Sequence, residues 1–419
     1  MTDAPEGPGA TSEAAGVRPV VVMKFGGTSV ADAEGRAALA RRVLAAQELG
    51  RAPVVVVSAM GRKGAPYATD TLLGLVEGLP VDERESDLLA GTGEIVSAVL
   101  VAHELRGAGI EARAFTGAEA GICTDGAHGA AQVTDIHPAP LLAAIAAGIV
   151  PVVAGFQGMA EDGSLTTLGR GGSDTTACAL GVALGAESVE IYTDVDGVMS
   201  ADPRSVDAAG VLETVRADEL FQMAQAGAKV VHTPAAELAL ASGLAVRVRN
   251  TYSDHPGTLV ADIASYRPQA LATAVTHSGG VSRVRVVLPA PEGTAKHMEA
   301  QTRVYRAMAD AGVSLDMFTP AGQSLVFTVP AGAVGTVCST LRGLDLESDV
   351  TADLAKVTLV GAAMHGVPGV MARLSEHLAE AGVDVLQAAD SHTTISVLVR
   401  EADAETAVRA LHEGFELGE

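Results

Sequence analysis

Tryptophan is missing altogether, and aromatic residues make up only 3% of a chain that carries 47 glycines and abundant alanine. The composition therefore fits sheets and helices packed through small side chains rather than a core of large rings. The three cysteines, Cys123, Cys178 and Cys338, are odd in number and nowhere spaced as CxxC. That excludes a disulfide framework and a structural zinc site, and it fits a reducing compartment. Basic residues are few: 28 Lys and Arg stand against 51 Asp and Glu, a formal charge of −23. A surface so negative repels nucleic acid and anionic membranes, so anionic substrates have to be met by local cations and N–H groups. No apolar run approaches the ~20 residues that span a bilayer, and no membrane partner is expected. Residues 1–17 lack a basic start and an apolar core, and read as a disordered tail rather than a signal peptide. The expected location is the cytoplasm.

What the chain does have is enough apolar content, 48% of 419 residues, for two or three globular domains. Its most informative stretch runs from Thr166 to Arg204. Leu168-Gly169-Arg170-Gly171-Gly172-Ser173-Asp174 sets three glycines around an Arg, a Ser and an Asp, and an apolar helical run, Thr176 to Leu184, follows. A glycine-rich turn opening a helix presents unpaired N–H groups and the positive end of the helix dipole, which suits an anion. Arg170 adds a planar fork for a carboxylate or phosphate. A strand, Ser188 to Tyr192, then delivers Thr193, Asp194, Asp196 and Gly197 to a loop, where open α/β sheets place ligand groups. Read alone, this stretch is equally a tight turn with a surface Arg.

A second anion-type loop stands at the front. Val20–Phe25 is a buried-type strand that breaks at Gly26-Gly27 and continues through Thr28-Ser29-Val30; a helix from Asp32 to Leu49 and a strand from Pro53 to Ser58 complete a parallel crossover unit. Lys24 sits where strand meets loop, either as an edge residue with its amine in water or facing a ligand. An irregular loop carries Thr69, and a helix from Glu85 to Leu105 contains Gly91-Thr92-Gly93-Glu94. Two mid-helix glycines cost roughly 1 kcal/mol each; they mark a close helix contact, or a place where Glu94 faces a ligand ammonium. His128 reads as a loop residue, and no residues are spaced as a metal site. Further alternation of strands and helices implies a mostly parallel sheet covered on both faces, closing near residue 263.

After a polar linker at 264–270 the pattern changes to a repeated β-α-β-β-α-β order. Its first copy has strands Val281–Leu288, Val313–Phe318, Leu325–Val329 and Glu347–Thr351. Its second has Lys356–Gly361, Val383–Ala388 and Thr394–Val399, one strand short. The spare apolar strand Leu271–Thr276 fills that place on a strand count. The expected domains are thus 18–263, 281–352, and 271–277 with 355–417.

KFGGTSV (24–30), VVVVSAMG (54–61), GFQG (155–158), TTLGRGGSDTTA (166–177), YTDVDGV followed by ADPR (192–204), GAK (227–229) and VRVRNTYSDHPGTLV (246–260) together resemble the aspartokinase family across nearly everything after residue 18. The resemblance implies an α/β amino-acid-kinase fold followed by two ferredoxin-like ACT domains. It also implies ATP- and Mg²⁺-dependent phosphorylation of the L-aspartate side chain, the first step toward lysine, diaminopimelate, threonine and methionine. By resemblance, Lys24, Phe25, Gly26 and Gly27 hold the transferring phosphates. Thr193, Asp194, Asp202, Arg204 and Lys229 serve the nucleotide. Arg170, Gly171, Gly172 and Ser173 take the α-carboxylate, Glu94 the ammonium, Ser58 and Thr69 line the pocket, and Asp174 positions substrate or Mg²⁺-bound phosphates.

The forms SAMGRKGAPYATD, TGAEAG, QAADSHTT and ALHEGFEL are closer to the diaminopimelate-inhibited subgroup. Diaminopimelate, and then lysine, is the expected effector, held by Asp316 and Met317 with Gln387, Asp390, Ser391 and His392 serving the same pocket. Asp316 alternatively caps a turn. Pairing of the small repeated sheets implies at least a homodimer. Three departures from the family pattern are Gln132 in place of Arg, Val231-His232-Thr233-Pro234-Ala235 in place of LHPRA or SPRA, and Arg249-Asn250 in place of Ser-Ser or Ser-Thr. Two alternatives stay open: a kinase of the same fold acting on N-acetylglutamate, glutamate or a nucleotide, and a catalytically inactive amino-acid sensor.

Overall fold

The computed structural model describes residues 18–80, 82–169, 171–228, 235, 238, 241–261, 271–364 and 366–418. The 1–17 tail, Arg170, Lys229, the 231–234 segment and the 264–270 linker lie outside the described residues. The chain divides into two compact units, one ending at Tyr192 and one starting at Thr193.

The first unit opens with β1 (Val20–Phe25), the single turn α1 (Gly27–Val30), α2 (Ala33–Glu48) and β2 (Ala52–Val57). Thr28-Ser29-Val30 is therefore helical and not a continuation of the strand. The reason is local: Ser29 donates its N–H to Gly26 O at 3.0 Å, closing a turn. Gly27 packs so tightly that a Cβ there would lie 2.5 Å from Ala59 O. Asp32 caps α2 by accepting from Gly35 N at 2.8 Å.

Next come α3 (Thr69–Gly74), in what the sequence read as loop, then α4 (Glu83–Gly107), β3 (Ala112–Phe115), β4 (Ile122–Thr124), β5 (Val133–Ile136), α5 (Ala139–Ala146) and β6 (Val150–Ala154). The unit ends with β7 (Gln157–Met159), β8 (Leu165–Thr167), α6 (Gly172–Ala183) and β9 (Ser188–Thr193). Five parallel strands, in the order β9-β1-β2-β6-β3, form the main sheet, and β5-β4-β7-β8 a smaller one. Every residue of β2 is buried, as in a sheet covered on both faces. By length and composition α4 is apolar enough to cross a bilayer, contrary to the expectation of no such run. Here its Ala98, Val101, Ala102 and Leu105 pack into the core with Val55, Val57 and Val152.

The second unit begins with β10 (Thr214–Arg216), α7 (Ala217–Gln225), β11 (Val246–Asn250) and β12 (Thr258–Ala261). It continues through β13 (Ala274–Val287), α8 (Ala295–Asp310), β14 (Asp316–Ala321), β15 (Ser324–Pro330), α9 (Val334–Gly343), β16 (Ser348–Val360), α10 (Val370–Glu380), β17 (Gln387–Asp390), β18 (Thr394–Arg400) and α11 (Ala404–Gly414). The last six strands form one antiparallel sheet, β14-β15-β13-β16-β18-β17.

Where the sequence suggested four short strands, the chain makes two long ones. β13 absorbs Leu271–Thr276 and Val281–Leu288 apart from their ends, with a register shift at Ser278/Val281; β16 does the same for the other two. Ala274 to Ser278 pairs with Val360 to Lys356, and Val281 to Val287 pairs with Pro330 to Ser324. Each long strand thus serves both copies of the repeat. β14 and β17 start later than the apolar pattern suggests. Val313 N and Val383 N bond back to Met308 O and Leu378 O, both at 2.9 Å, after Gly312 and Gly382 at φ 69° and 72°. These helix C-caps use up the first apolar residues.

α8 and α9 cover Val284, Val286 and Phe327 on one half of the sheet, and α10 and α11 cover Val357, Leu359, Val397 and Val399 on the other. The opposite face carries a small cluster of Met317, Leu354 and Leu398. The sheet curls enough for its two edge strands to meet, Gln387 Nε2 donating to Met317 O.

Candidate active site

A cavity of about 570 Å³ opens in the first unit at the carboxyl ends of β1 and β2. Lys24, Ser58, Thr69, Glu94, Ser173 and Asp174 all line it. The structure therefore brings together six residues separated by up to 150 positions. Lys24, next to last in β1, places its Nζ 2.6 Å from Asp174 Oδ1, with both side chains about a tenth exposed. Phe25 instead faces the core, stacked on Tyr192 with ring centroids 4.6 Å apart. Gly26 donates its N–H to Tyr192 O at 3.3 Å, and of the two front glycines Gly27 lines the cavity.

α6 begins at Gly172, four residues before the apolar run, so Ser173 and Asp174 occupy its first turn rather than the preceding loop. Gly171 caps it at φ 69°, and a Cβ on Gly172 would lie 2.8 Å from Leu168 Cβ and 2.9 Å from the Phe156 ring. That close approach aims the N-terminus of a 12-residue helix, the positive end of its dipole, into the cavity. Gly155 is pressed equally hard against Ser173: a Cβ on it would lie 2.9 Å from Ser173 Cβ. Cys178 lies one turn further along α6; burial, and then the charge of Asp174, pushes its thiol up to about 12, so it is no nucleophile.

The mid-helix glycines of α4 serve both readings of the sequence. A Cβ on Gly91 would meet Leu165 at 2.9 Å, and one on Gly93 would meet Tyr67 O at 2.7 Å, so both are close-contact glycines. By letting neighbouring segments press on α4, they also seat Glu94 at 3% exposure. Its Oε1 accepts from Ala59 N at 3.1 Å, while Oε2 is buried with no hydrogen-bond partner among the described residues. Burial raises the Glu94 carboxyl from 4.5 to about 7, against the smaller lowering effect of the Ala59 N–H.

Two features of the cavity escaped the sequence reading. Asp87, 2% exposed, accepts from His128 Nδ1 at 2.8 Å, Gly129 N at 3.0 Å, and Thr167 through both N and Oγ1. His128 is thus an anchor for its loop rather than merely a loop residue. Asp87 precedes Glu94 by seven positions, two helical turns, and that spacing was a signal for a shared face. Arg62 and Lys63, exposed, add cations to the cavity lining.

In the second unit, Thr251 N donates to Thr193 O at 2.9 Å, and Thr193 Oγ1 contacts Asp194 Oδ1 at 3.1 Å. Asn250, one of the departures from the family pattern, donates to Asp196 Oδ1 at 2.9 Å. Asp202 and Arg204 pair with each other through Nε at 3.0 Å and Nη2 at 2.6 Å; Arg204 holds the Asp202 carboxyl below the usual carboxylate range. Asp316 heads β14 and pairs with Lys356 Nζ, and its Oδ1 accepts from Met317 N at 2.8 Å. Gln387 joins them through Met317 O. Asp390 and Ser391 lie instead at the far end of β17, where Ser391 closes the turn onto Thr394 at 2.8 Å next to His392.

Residues 19–250 match the amino acid kinase family and 349–413 an ACT domain. Aspartokinase 1 of Bacillus subtilis is 45% identical over 405 residues, covering 95% of this chain and 99% of its own. The aspartokinase of Mycobacterium tuberculosis strain H37Rv is 42% identical, covering 95% of this chain and 96% of its own. Among solved structures, E. coli aspartokinase III in complex with aspartate and ADP is 26% identical with a TM-score of 0.78, covering 95% of this chain and all of its own. The same enzyme with lysine and aspartate is also 26% identical, with a TM-score of 0.73, covering 94% and 99%.

Proposed function

This chain belongs to the aspartokinase family, and we propose that it transfers the terminal phosphoryl group of ATP to the side-chain carboxylate of L-aspartate, giving 4-phospho-L-aspartate. The observation that carries the choice of substrate is Glu94: a buried carboxyl with one oxygen unpartnered among the described residues, in the same cavity as Lys24 and the α6 N-terminus. An α-ammonium supplies the missing partner. An N-acetylated nitrogen keeps one N–H donor but no charge to balance a buried carboxylate, which argues against N-acetylglutamate.

The acceptor carboxylate, with a reference pKa near 3.9, is already ionised at neutral pH, so the reaction needs no general base. The difficulty is to bring two anions together and stabilise charge on the moving phosphoryl group. Lys24 is placed for this, and its Asp174 partner keeps the ammonium aimed into the cavity until phosphate competes for it. Arg170, Gly171, Gly172 and Ser173 take the α-carboxylate, with Ser58 and Thr69 beside the substrate. Thr193, Asp194, Asp202, Arg204 and Lys229 serve the nucleotide. Mg²⁺ enters with the substrate as MgATP, where it neutralises phosphate charge.

The C-terminal copies are read as ACT domains at 281–352 and at 271–277 with 355–417, which bind an amino-acid effector near Asp316, Met317 and Gln387. Diaminopimelate is the first candidate and lysine the second. The exposed strand β14 offers an edge for a homodimer. Three free cysteines fit action in the cytoplasm. The kinase reading is favoured over an inactive sensor by Lys24 and Asp174, in contact in one cavity. The test is formation of a hydroxylamine-trappable acyl phosphate from L-aspartate, ATP and Mg²⁺. Turnover of glutamate or N-acetylglutamate with none of aspartate would overturn it.

A further inference from the structure

The loop that carries Asp202 and Arg204 is closed at its base by a Met199–Val211 bridge, and it is anchored outside itself. Ser200, fully buried, accepts from Val275 N of β13 at 2.8 Å through its carbonyl, and its Oγ lies 2.9 Å from His412 Nε2 on α11. Ala201 and Val206 share an apolar cluster with Leu411, Phe415 and Leu417. The segment that leads to Lys229 is anchored on the same elements. Glu219, in the first turn of α7 and 0% exposed, accepts from Thr273 Oγ1 at 2.6 Å and Ala362 N at 2.9 Å through Oε1, and from Arg216 N at 3.2 Å through Oε2. Two residues before Lys229, Gly227 packs so closely that a Cβ would lie 2.7 Å from His277 O of β13.

We infer that Glu219 is a positioning residue for ATP: its buried carboxylate fastens α7, which leads to Lys229, to the junction where β13 begins and β16 ends. This rests on the reading that Lys229, Asp202 and Arg204 serve the nucleotide. The geometry makes the attachment stiff. Thr273 stands just before β13 and Ala362 just after β16, and both converge on one carboxylate oxygen. A buried carboxylate that loses a donor is left undersatisfied, so α7 is held to both strand ends at once. Near that junction the backbones cross too closely for any side chain, a Cβ on Gly361 falling 2.7 Å from Ala272 Cα. Movement within the β13–β16 pair, which both ACT-type copies share, is thereby passed to α7 and to the nucleotide.

The test compares Thr273→Val, Thr273→Ser, Glu219→Gln and, as a reference for the nucleotide reading, Lys229→Met, each checked for folding by thermal melting. Steady-state KM values for ATP and for aspartate are measured separately. Thr273→Val is expected to raise KM for ATP roughly three- to tenfold and leave KM for aspartate within about twofold. Glu219→Gln should move further in the same direction, and Thr273→Ser, which restores the hydroxyl, should return to the parent value. Thr273→Val acts even if Glu219→Gln fails to fold. If Lys229→Met raises KM for ATP while Thr273→Val leaves it unchanged, or moves both KM values together, the inference is wrong. If Lys229→Met leaves KM for ATP unchanged, the nucleotide reading falls and the inference falls with it.

Discussion

With Glu94 as the proposed partner of the substrate ammonium, the affinity for aspartate depends on pH in a way that can be worked out beforehand. In the empty cavity its carboxyl is raised from 4.5 to about 7, mainly by burial. That shift corresponds to about 3 kcal/mol between its two protonation states. The folded value lies above the unfolded one, so ionisation opposes folding. The contribution to stability is full below pH 4.5, falls as pH rises, and is gone once pH passes through about 7. Binding an ammonium reverses the preference, because the buried charge then has its partner. Aspartate therefore binds the ionised form, about a tenth of the free enzyme at pH 6 and about nine-tenths at pH 8.

The assay is initial-rate kinetics at saturating MgATP between pH 6 and 8.5. KM for aspartate should fall about tenfold from pH 6 to its plateau, while kcat changes little, since bound substrate has already selected the ionised carboxylate. Glu94→Gln should raise KM throughout and flatten the profile. The thermal stabilisation given by a fixed aspartate concentration should grow over the same range in the parent enzyme only. A KM that stays within twofold from pH 6 to 8, or a Glu94→Gln profile of unchanged shape, would refute the reasoning.

Two further predictions concern charge. Lys24→Met should lower kcat by on the order of 10²-fold, because its ammonium meets charge that moves in the transition state. Arg170→Ala should instead raise KM for aspartate roughly 10- to 100-fold with a smaller effect on kcat, because its proposed role is to grip a carboxylate that does not react. Interchanged signatures in the same rate assay would show the roles to be misassigned. At the proposed effector site, Lys356 already pairs with Asp316. Asp316→Ala should therefore weaken inhibition by diaminopimelate or lysine and Lys356→Met should strengthen it, each by roughly two- to fivefold in the half-inhibiting concentration, the scale of an exposed ion pair. Shifts in the same direction would place the effector elsewhere.

Much of the site was legible because its chemistry is local. A strand that ends in Lys24-Phe25 with two glycines after it, and three glycines at the start of a helix, mark candidate anion-binding turns from a few neighbouring residues. Glu94 stood out because glycines in mid-helix need a reason, and Gly91 and Gly93 supply one by their contacts. Asp87 did not stand out, since its four donors come from His128, Gly129 and Thr167, more than forty residues away. The front of α6 was misjudged for a related reason: Gly172 has poor intrinsic helix propensity, and what makes it helical is the close approach of Phe156 and Leu168.

The repeat shows the same limit and what lies beyond it. Apolar alternation stops at Ser278-Gly279-Gly280 and over Thr351-Ala352-Asp353, so each long strand reads as two. The backbone nevertheless carries β-pairing through both gaps, at the cost of register shifts and of Asp353 at φ 55°. Two domains joined by flexible linkers could bind an effector in one and leave the other undisturbed. Here that independence is lost, because β13 and β16 each belong to both copies. A shift of β16 that begins beside Asp316 and Lys356 is a shift of the strand whose far end meets Glu219 through Ala362. The glycines and acids that break the sequence pattern mark the places where one continuous strand passes from one copy to the other.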